Sequence, residues 1–323
     1  MTVLVLASLN ADLVVAVAAR PAGGETVLGG DLVVHPGGKG ANQAAAAALA
    51  GARVRVLGRV GDDAYGDLLR TALESAGADV SRVVTTSGAA TGVALITVTP
   101  DGENSIVVAS GANSRLVADD VGVVTEDVLV TQLELPMPAV EELARRCVEG
   151  GHRLVLNAAP PRPDLPAELL AACDPLVVNA HEAAALTGTV VPTTVDDAVL
   201  AAATLRRQGC RSVVLTLGAA GAVVLDGGGC WHVAAPPTAG VVDTTGAGDC
   251  LVGTLAARLD AGDDLATAAA DAVRTATLAV LAAGAQTSYV QRTQALAVPA
   301  IPPRPLRAPA DGTDAAPGTS NPP

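Results

Sequence analysis

Short runs of Val and Leu recur along the chain at residues 3–6, 54–60, 128–133, 154–157, 176–179 and 213–217. Most are separated by ten or more residues whose apolar positions repeat with a helical period. Strand alternating with amphipathic helix is the pattern of a mostly parallel sheet covered by helices on both faces. The spacing predicts helices over residues 40–50, 66–76, 138–149, 195–208, 247–260 and 264–281. Gly51, Gly77, Gly150, Gly209 and Gly262 stand at the ends of these segments, where left-handed C-terminal caps are expected.

Two stretches break the alternation. Residues 12–34 and 91–108, the latter with a Pro100, Asp101, Gly102 turn, read as strands and hairpins without helices between them. Together they predict a small separate sheet, able to act as a mobile lid over the crevice of the larger one. Residues 1–301 form a single expected domain. From residue 302 to 323 the chain turns to Pro, Ala, Gly, Asp and Thr with no apolar period, so a disordered tail is expected there.

Composition narrows the picture. Half of the 323 residues are hydrophobic, enough for a sizeable core, but aromatics are 1 % with no Phe, so that core is built of Val, Leu and Ala. A net charge of −13 argues against nucleic acid or an anionic membrane surface as partner, and a phosphate-bearing ligand needs local donors instead. Cys147, Cys173, Cys210, Cys230 and Cys250 make no CxxC pair and read as buried thiols of a reducing compartment. Residues 2–17 are apolar but carry Asn10 and Asp12 and no basic flank, which fits neither a signal peptide nor a membrane span. Cytoplasm is the expected location.

The strongest local signal is Asp243, Thr244, Thr245, Gly246, Ala247, Gly248, Asp249, running into an apolar helix. Consecutive N–H groups at Gly246, Ala247 and Gly248, at the positive end of that helix, make an anion hole. Asp249 in the first turn is then placed to take a proton from an attacking hydroxyl. Alone, the segment reads equally as a glycine turn with an acidic helix start. A second constellation pairs Asn10 and Asp12 with His35, Pro36, Gly37, Gly38, Lys39, Gly40, Ala41, Asn42 and Gln43 opening an Ala-rich helix. Short acids and amides of this kind bind sugar hydroxyls. The glycines around Lys39 lack the GxxxxGK[ST] phosphate-loop pattern.

These two segments, with Gly61, Asp62 and Asp63, resemble the two signature regions of the PfkB family of carbohydrate kinases, and most of all its ribokinase branch. The likeness extends through Thr91 to Ile96, Gly111 to Asn113, Gln132 to Glu134, Asn157, Asn179 with Glu182, and Thr216 to Gly218 with Gly221. In order and spacing it spans residues 3 to about 290.

The resemblance implies a ribokinase-like three-layer α/β sandwich with a mostly parallel central sheet and a small β-sheet lid. It implies transfer of the ATP γ-phosphoryl group to O5 of D-ribose, with Asp249 as base. Asn10, Asp12, Gly38, Lys39, Asn42 and Glu134 match positions that contact the sugar. Asn179, Thr216, Gly218, Gly221 and Gly248 match nucleotide-binding positions, and Glu182 one that organises Mg²⁺ through water, as a cation that keeps several waters requires. Asp243, Thr245, Ala279, Ala282, Gly284 and Ser288 match a site for K⁺. Where the family commonly offers Asn or His to adenine, this chain has Val273 or Arg274; Thr287 replaces a frequent Pro, and His181 is given a solvent or packing role. Alternatives within the class are another pentose, deoxyribose or a nucleoside as acceptor; outside it, a sugar sensor without turnover. A homodimer through the lid is expected from the resemblance and from its exposed strand edges.

Overall fold

The computed structural model describes residues 2–307. In chain order its first half comprises β1 (Val3–Leu6), β2 (Asn10–Ala16), β3 (Val33–Gly37), α1 (Lys39–Leu49), β4 (Val54–Val60), α2 (Ala64–Ala76), β5 (Asp79–Thr85), β6 (Gly92–Val98), β7 (Asn104–Ala109), β8 (Val128–Gln132) and α3 (Met137–Gly150). The second half adds β9 (Arg153–Asn157), α4 (Ala167–Ala172), β10 (Cys173–Asn179), α5 (Ala180–Thr187), α6 (Val195–Arg207), β11 (Val213–Thr216), β12 (Ala222–Leu225), β13 (Cys230–Val233), α7 (Ala247–Asp260), α8 (Leu265–Ala279), α9 (Arg292–Ala295) and β14 (Arg304–Leu306).

Ten strands form one sheet in the order β14-β13-β12-β11-β10-β9-β8-β1-β4-β5, parallel from β11 through β5 and antiparallel from β11 to β14. Alternation along β1 divides the core. Val3 and Val5 join the Ala- and Leu-rich faces of α1, α7 and α8, while Leu4 and Leu6 point the other way into a cluster with α3, α4 and α6. This is the expected three-layer α/β sandwich. The chain builds outward from β1 to β4 and β5 on one side, then returns to β8 on the other. A crevice therefore opens where strand order reverses, at the carboxyl ends of the parallel strands.

The small sheet has the order β3-β2-β6-β7, with β2 and β6 parallel and the other pairs antiparallel. Its entry is clamped. The Asp63 carboxylate caps α2 at Gly66 N (2.9 Å) and also accepts from Thr91 N (2.8 Å) and Thr91 Oγ1 (2.7 Å), just before β6.

Three expectations at element ends are corrected. Gly150 is the last residue of α3 and Gly151 takes the left-handed conformation (φ 68°), because the helix runs one residue longer than its apolar pattern. The last long helix stops at Ala279, where the ladder tightens to Leu281 N on the Leu278 carbonyl (3.2 Å), and the Val280 carbonyl accepts instead from Val242 N (2.8 Å) and Asp243 N (3.3 Å). The segment expected as tail from residue 302 is in part a strand: Arg304, Pro305 and Leu306 pair with the edge strand β13, where a Pro is tolerated because one side of its backbone needs no partner. The rest of that segment, from residue 308 on, lies outside the described residues.

Candidate active site

The polar side chains singled out in the sequence gather at the carboxyl ends of β1, β8, β9, β10 and β11. There the chain leaves the sheet, so short polar residues replace Val and Leu. Asn10 and Glu134 follow β1 and β8; Asn157, Asn179 and Thr216 end β9, β10 and β11. Two helix starts complete the ring. Gly38 (φ 87°) admits α1 close to the end of β1, and a Cβ at Gly40 would sit 2.3 Å from Ala7 Cα, so only glycine permits that approach. Gly246 (φ 74°) opens α7 and is held by Tyr289, whose hydroxyl donates to its carbonyl at 2.8 Å.

α1 and α7 lie so close that a Cβ at Gly253 would meet the Gln43 carbonyl oxygen at 2.2 Å. The contact brings Asn42 and Gln43 onto the Asp249 carboxylate. Asn42 Nδ2 donates to its Oδ2 at 3.0 Å and Gln43 Nε2 to its Oδ1 at 2.9 Å. Burial pushes the Asp249 pKa up; Lys39 and these two amides act against that, and Glu134 adds to it. Burial alone would lower Lys39, but the carboxylates of Asp249, Glu134, Glu182 and Asp12 carry it above its ordinary value, so it stays a cation. Asp12 is pushed up to about 7, first by burial and then by Glu134 and Asp249, with Lys39 opposing. Ser8 Oγ donates to Glu134 Oε2 at 2.7 Å, and Lys39 N reaches the same oxygen at 3.4 Å. Asn10 is fixed by Asn113, whose Nδ2 donates to Asn10 Oδ1 at 2.9 Å and whose amide also pairs both backbone groups of Leu9.

A cavity of about 150 Å³ lies between Lys39, Asn179, Glu182, Gly246, Gly248 and Asp249. It opens into a larger groove of about 850 Å³ bounded by Asn179, Thr216, Gly218, Gly221, Gly248 and the α8 residues Val273 and Ala276. Of the two residues expected near an adenine face, Val273 lines this groove, whereas Arg274 turns inward to Asp271 (2.8 Å) and the Val298 carbonyl (3.2 Å). His181 stands exposed at the groove's wall. Ala247 N is engaged by the Thr244 carbonyl at 3.2 Å, so of the three expected anion-hole residues, Gly246 and Gly248 are the ones that line the small cavity with Asp249.

For a divalent cation the donors are hard oxygens. Asn179 and Glu182 form a reciprocal cap, Glu182 Oε2 accepting from Asn179 N at 2.8 Å and Asn179 Oδ1 from Glu182 N at 2.9 Å. Burial raises the Glu182 pKa, opposed by that N–H and by Lys39. Among the described residues no three His, Cys, Asp or Glu side chains are grouped to hold a metal; the oxygen donors of Asn179 and Glu182 fit a hard cation that keeps several waters. For a monovalent cation, Asp243 ties together the loops that carry Thr245 and Gly284, accepting from their N–H groups at 2.9 and 2.8 Å. Its pKa is lowered: burial works against this, and hydrogen bonds from the Thr245 side chain and then from the two N–H groups prevail. Of the positions expected to hold K⁺, Asp243, Thr245 and Gly284 are thus brought together.

Sequence reading did not assign roles to Gln43, Gln132, Asn113 or Asn157, all buried and all hydrogen-bonded to site residues or to one another. The available signal was their place in the matched motifs and, for Gln43, Gln132 and Asn157, an uncharged polar residue in an otherwise apolar helix or strand; Asn113 sits in the polar turn 111–115. The five cysteines are free and buried, and no helix of the described residues is long and apolar enough to cross a membrane.

Residues 2–292 match the pfkB family carbohydrate kinase pattern. The chain is 36 % identical over 300 residues to a ribokinase of Haemophilus influenzae, covering 91 % of this chain and 97 % of that one. It is 34 % identical over 294 residues to a deoxyribokinase of Salmonella typhi, covering 90 % and 95 %. Among solved structures, Arabidopsis thaliana ribokinase complexed with ribose and ATP superposes with a TM-score of 0.83 at 29 % identity, covering 92 % of this chain and 97 % of that one.

Proposed function

The chain belongs to the pfkB family of carbohydrate kinases, and on that premise we propose that it transfers the γ-phosphoryl group of ATP to O5 of D-ribose, giving D-ribose 5-phosphate and ADP. The observation that carries this reading is the Asp249 carboxylate, buried beside Gly246 and Gly248 at the cavity wall and held on both oxygens by amides of α1. Asp249 takes the proton of the attacking hydroxyl as its oxygen bonds to phosphorus and the bond to ADP breaks. The Gly246 and Gly248 N–H groups and the Lys39 ammonium stabilise the charge that develops on the phosphoryl oxygens. Asn10, Asp12, Gly38, Lys39, Asn42 and Glu134 orient the sugar, and the groove from Asn179 to Val273 takes the nucleotide.

Asn179 and Glu182 would hold Mg²⁺, which when bound would neutralise the phosphates. Asp243, Thr245, Ala279, Ala282, Gly284 and Ser288 would hold K⁺, which would steady the loop that leads into the anion hole. The exposed apolar residues of the lid, among them Leu95, Ile106 and Val107, fit a homodimer in which a second copy covers it. Five free buried thiols agree with a cytoplasmic location.

The likeness to a deoxyribokinase favours 2-deoxyribose as a second acceptor. Comparing kcat/KM for ribose, 2-deoxyribose, other pentoses and nucleosides separates the acceptors. Ribose at least about tenfold ahead is the expected result, and a lead for any other acceptor reassigns the substrate. A sensor without turnover has no use for a buried base beside an anion hole, and ADP release with and without sugar distinguishes it.

A further inference from the structure

Gln43 lies in the second turn of α1, fully buried, and itself lines neither cavity. Its amide is nevertheless used in full. Nε2 donates to Asp249 Oδ1 at 2.9 Å and to Asn157 Oδ1 at 3.0 Å, while Oε1 accepts from Gln132 Nε2 at 2.9 Å. Gln132 Oε1 in turn faces the backbone N–H of Ser8 at 3.4 Å. That last group settles the direction of the whole row. A backbone N–H can only donate, so Gln132 presents oxygen to Ser8 and nitrogen to Gln43, and Gln43 presents oxygen to Gln132 and nitrogen to Asp249. The row starts at the end of β1, crosses β8 and ends on one carboxylate oxygen. Asn42, itself held by Gln286 Nε2 at 3.0 Å, caps the other.

We propose that Gln43 is a positioning residue for phosphoryl transfer: the Ser8–Gln132–Gln43 row fixes the rotation of the Asp249 carboxylate and favours its ionised, proton-accepting form. An amide that can only donate to Asp249 stabilises the anion more strongly than the neutral acid, whose proton finds no acceptor in that amide. This matters because the surroundings otherwise favour protonation. Burial raises the Asp249 pKa, Glu134, Asp12 and Glu182 face it with like charge, and Tyr289 and Cys250 stay neutral, their pKa values raised chiefly by burial. Lys39 and the two amides are the groups that oppose this.

The inference rests on the kinase reading, and the test separates the two. The pH dependence of kcat and kcat/KM for ribose is measured in the parent, in Gln43→Leu and in the isosteric Gln43→Glu, each checked for a cooperative thermal transition. Loss of the donor in Gln43→Leu is expected to move the acidic limb of kcat/KM up by about one pH unit and to lower kcat about tenfold, with KM within about twofold of the parent. In Gln43→Glu two facing carboxyls retain a proton near neutrality, so its rate recovers as pH rises further than the parent's does. A merely structural role lowers the folded fraction and scales the rate without moving the limb. Parent activity with both variants tracing the parent's profile overturns the inference alone, and so does failure of both variants to fold. A parent without ribose-dependent ADP release overturns the kinase reading and this inference with it.

Discussion

Asp249 and Asp12 are both buried carboxyls whose pKa is raised first by burial, but their oxygens are held differently. Asp249 has its oxygens held by two amides, whereas Asp12 is pushed up to about 7 by burial and by the neighbouring Glu134 and Asp249 carboxylates. Asp12 is thus mainly protonated below pH 7 and ionised above it. An ionised carboxylate accepts from two hydroxyls at once, so the KM for ribose is expected to fall as pH rises through about 7. In Asp12→Asn that pH dependence is expected to vanish and KM to rise at least about tenfold, which initial-rate measurements across the range will check. At this scale Asp249, Lys39 and Glu134 were legible as residue types in motif positions. Gln43 and Gln132 were not assigned roles, because an amide earns its role from partners about 90 residues or more away in sequence, and spacing along the chain carries no trace of them.

Among the elements, the α1 and α7 pair decides whether the site exists. Gly253 lets the two helices touch, and a Cβ there would meet Gln43 O at 2.2 Å, Ala46 Cβ at 2.7 Å and Ala47 N at 2.8 Å. Gly253→Ala is expected to destabilise the fold by about 1–3 kcal/mol in denaturant unfolding and to lower kcat, because separating the helices lengthens the Asn42 and Gln43 bonds to Asp249. Gly248 supplies the contrast. Its backbone is unstrained and a Cβ would meet nothing within 4 Å, so Gly248→Ala is expected to keep the parent's stability. Because Gly248 lines both cavities, the added methyl takes up phosphate space, and activity is expected to fall about tenfold or more in the same assays. Six strands of the large sheet and six long helices were legible from period and glycine punctuation, to within three residues, while β5 (Asp79–Thr85), with polar residues among its valines, went unread. The antiparallel extension β12, β13 and β14 was not, because these strands are only three or four residues long and β14 carries a Pro that reads as tail.

Over the whole molecule, the lid is the part whose sequence and packing disagree unless something covers it. Leu95 (52 % exposed), Ile106 (51 %) and Val107 (65 %) lie on paired strands yet face solvent. Light scattering at micromolar concentration is expected to give twice the chain mass for the parent and a shift toward one chain mass for Val107→Asp, since a charge buried at such an interface is strongly unfavourable. The three-layer order and the separate small sheet were legible in the alternation of periods. What the sequence withheld is that the lid's strands β2 and β6 run parallel, which needs the long excursion through β3, α1, β4, α2 and β5 between them. The central claim joins all three scales: one buried carboxylate, held between two helices at the switch point of the sheet, removes the sugar proton. It is tested most directly by the ribose-dependent rate of ADP formation, with the product identified by phosphorus NMR, in the parent and in Asp249→Asn. The account predicts ribose 5-phosphate from the parent and a kcat at least about a hundredfold lower in the variant with ribose binding retained; near-parent turnover in Asp249→Asn would contradict it.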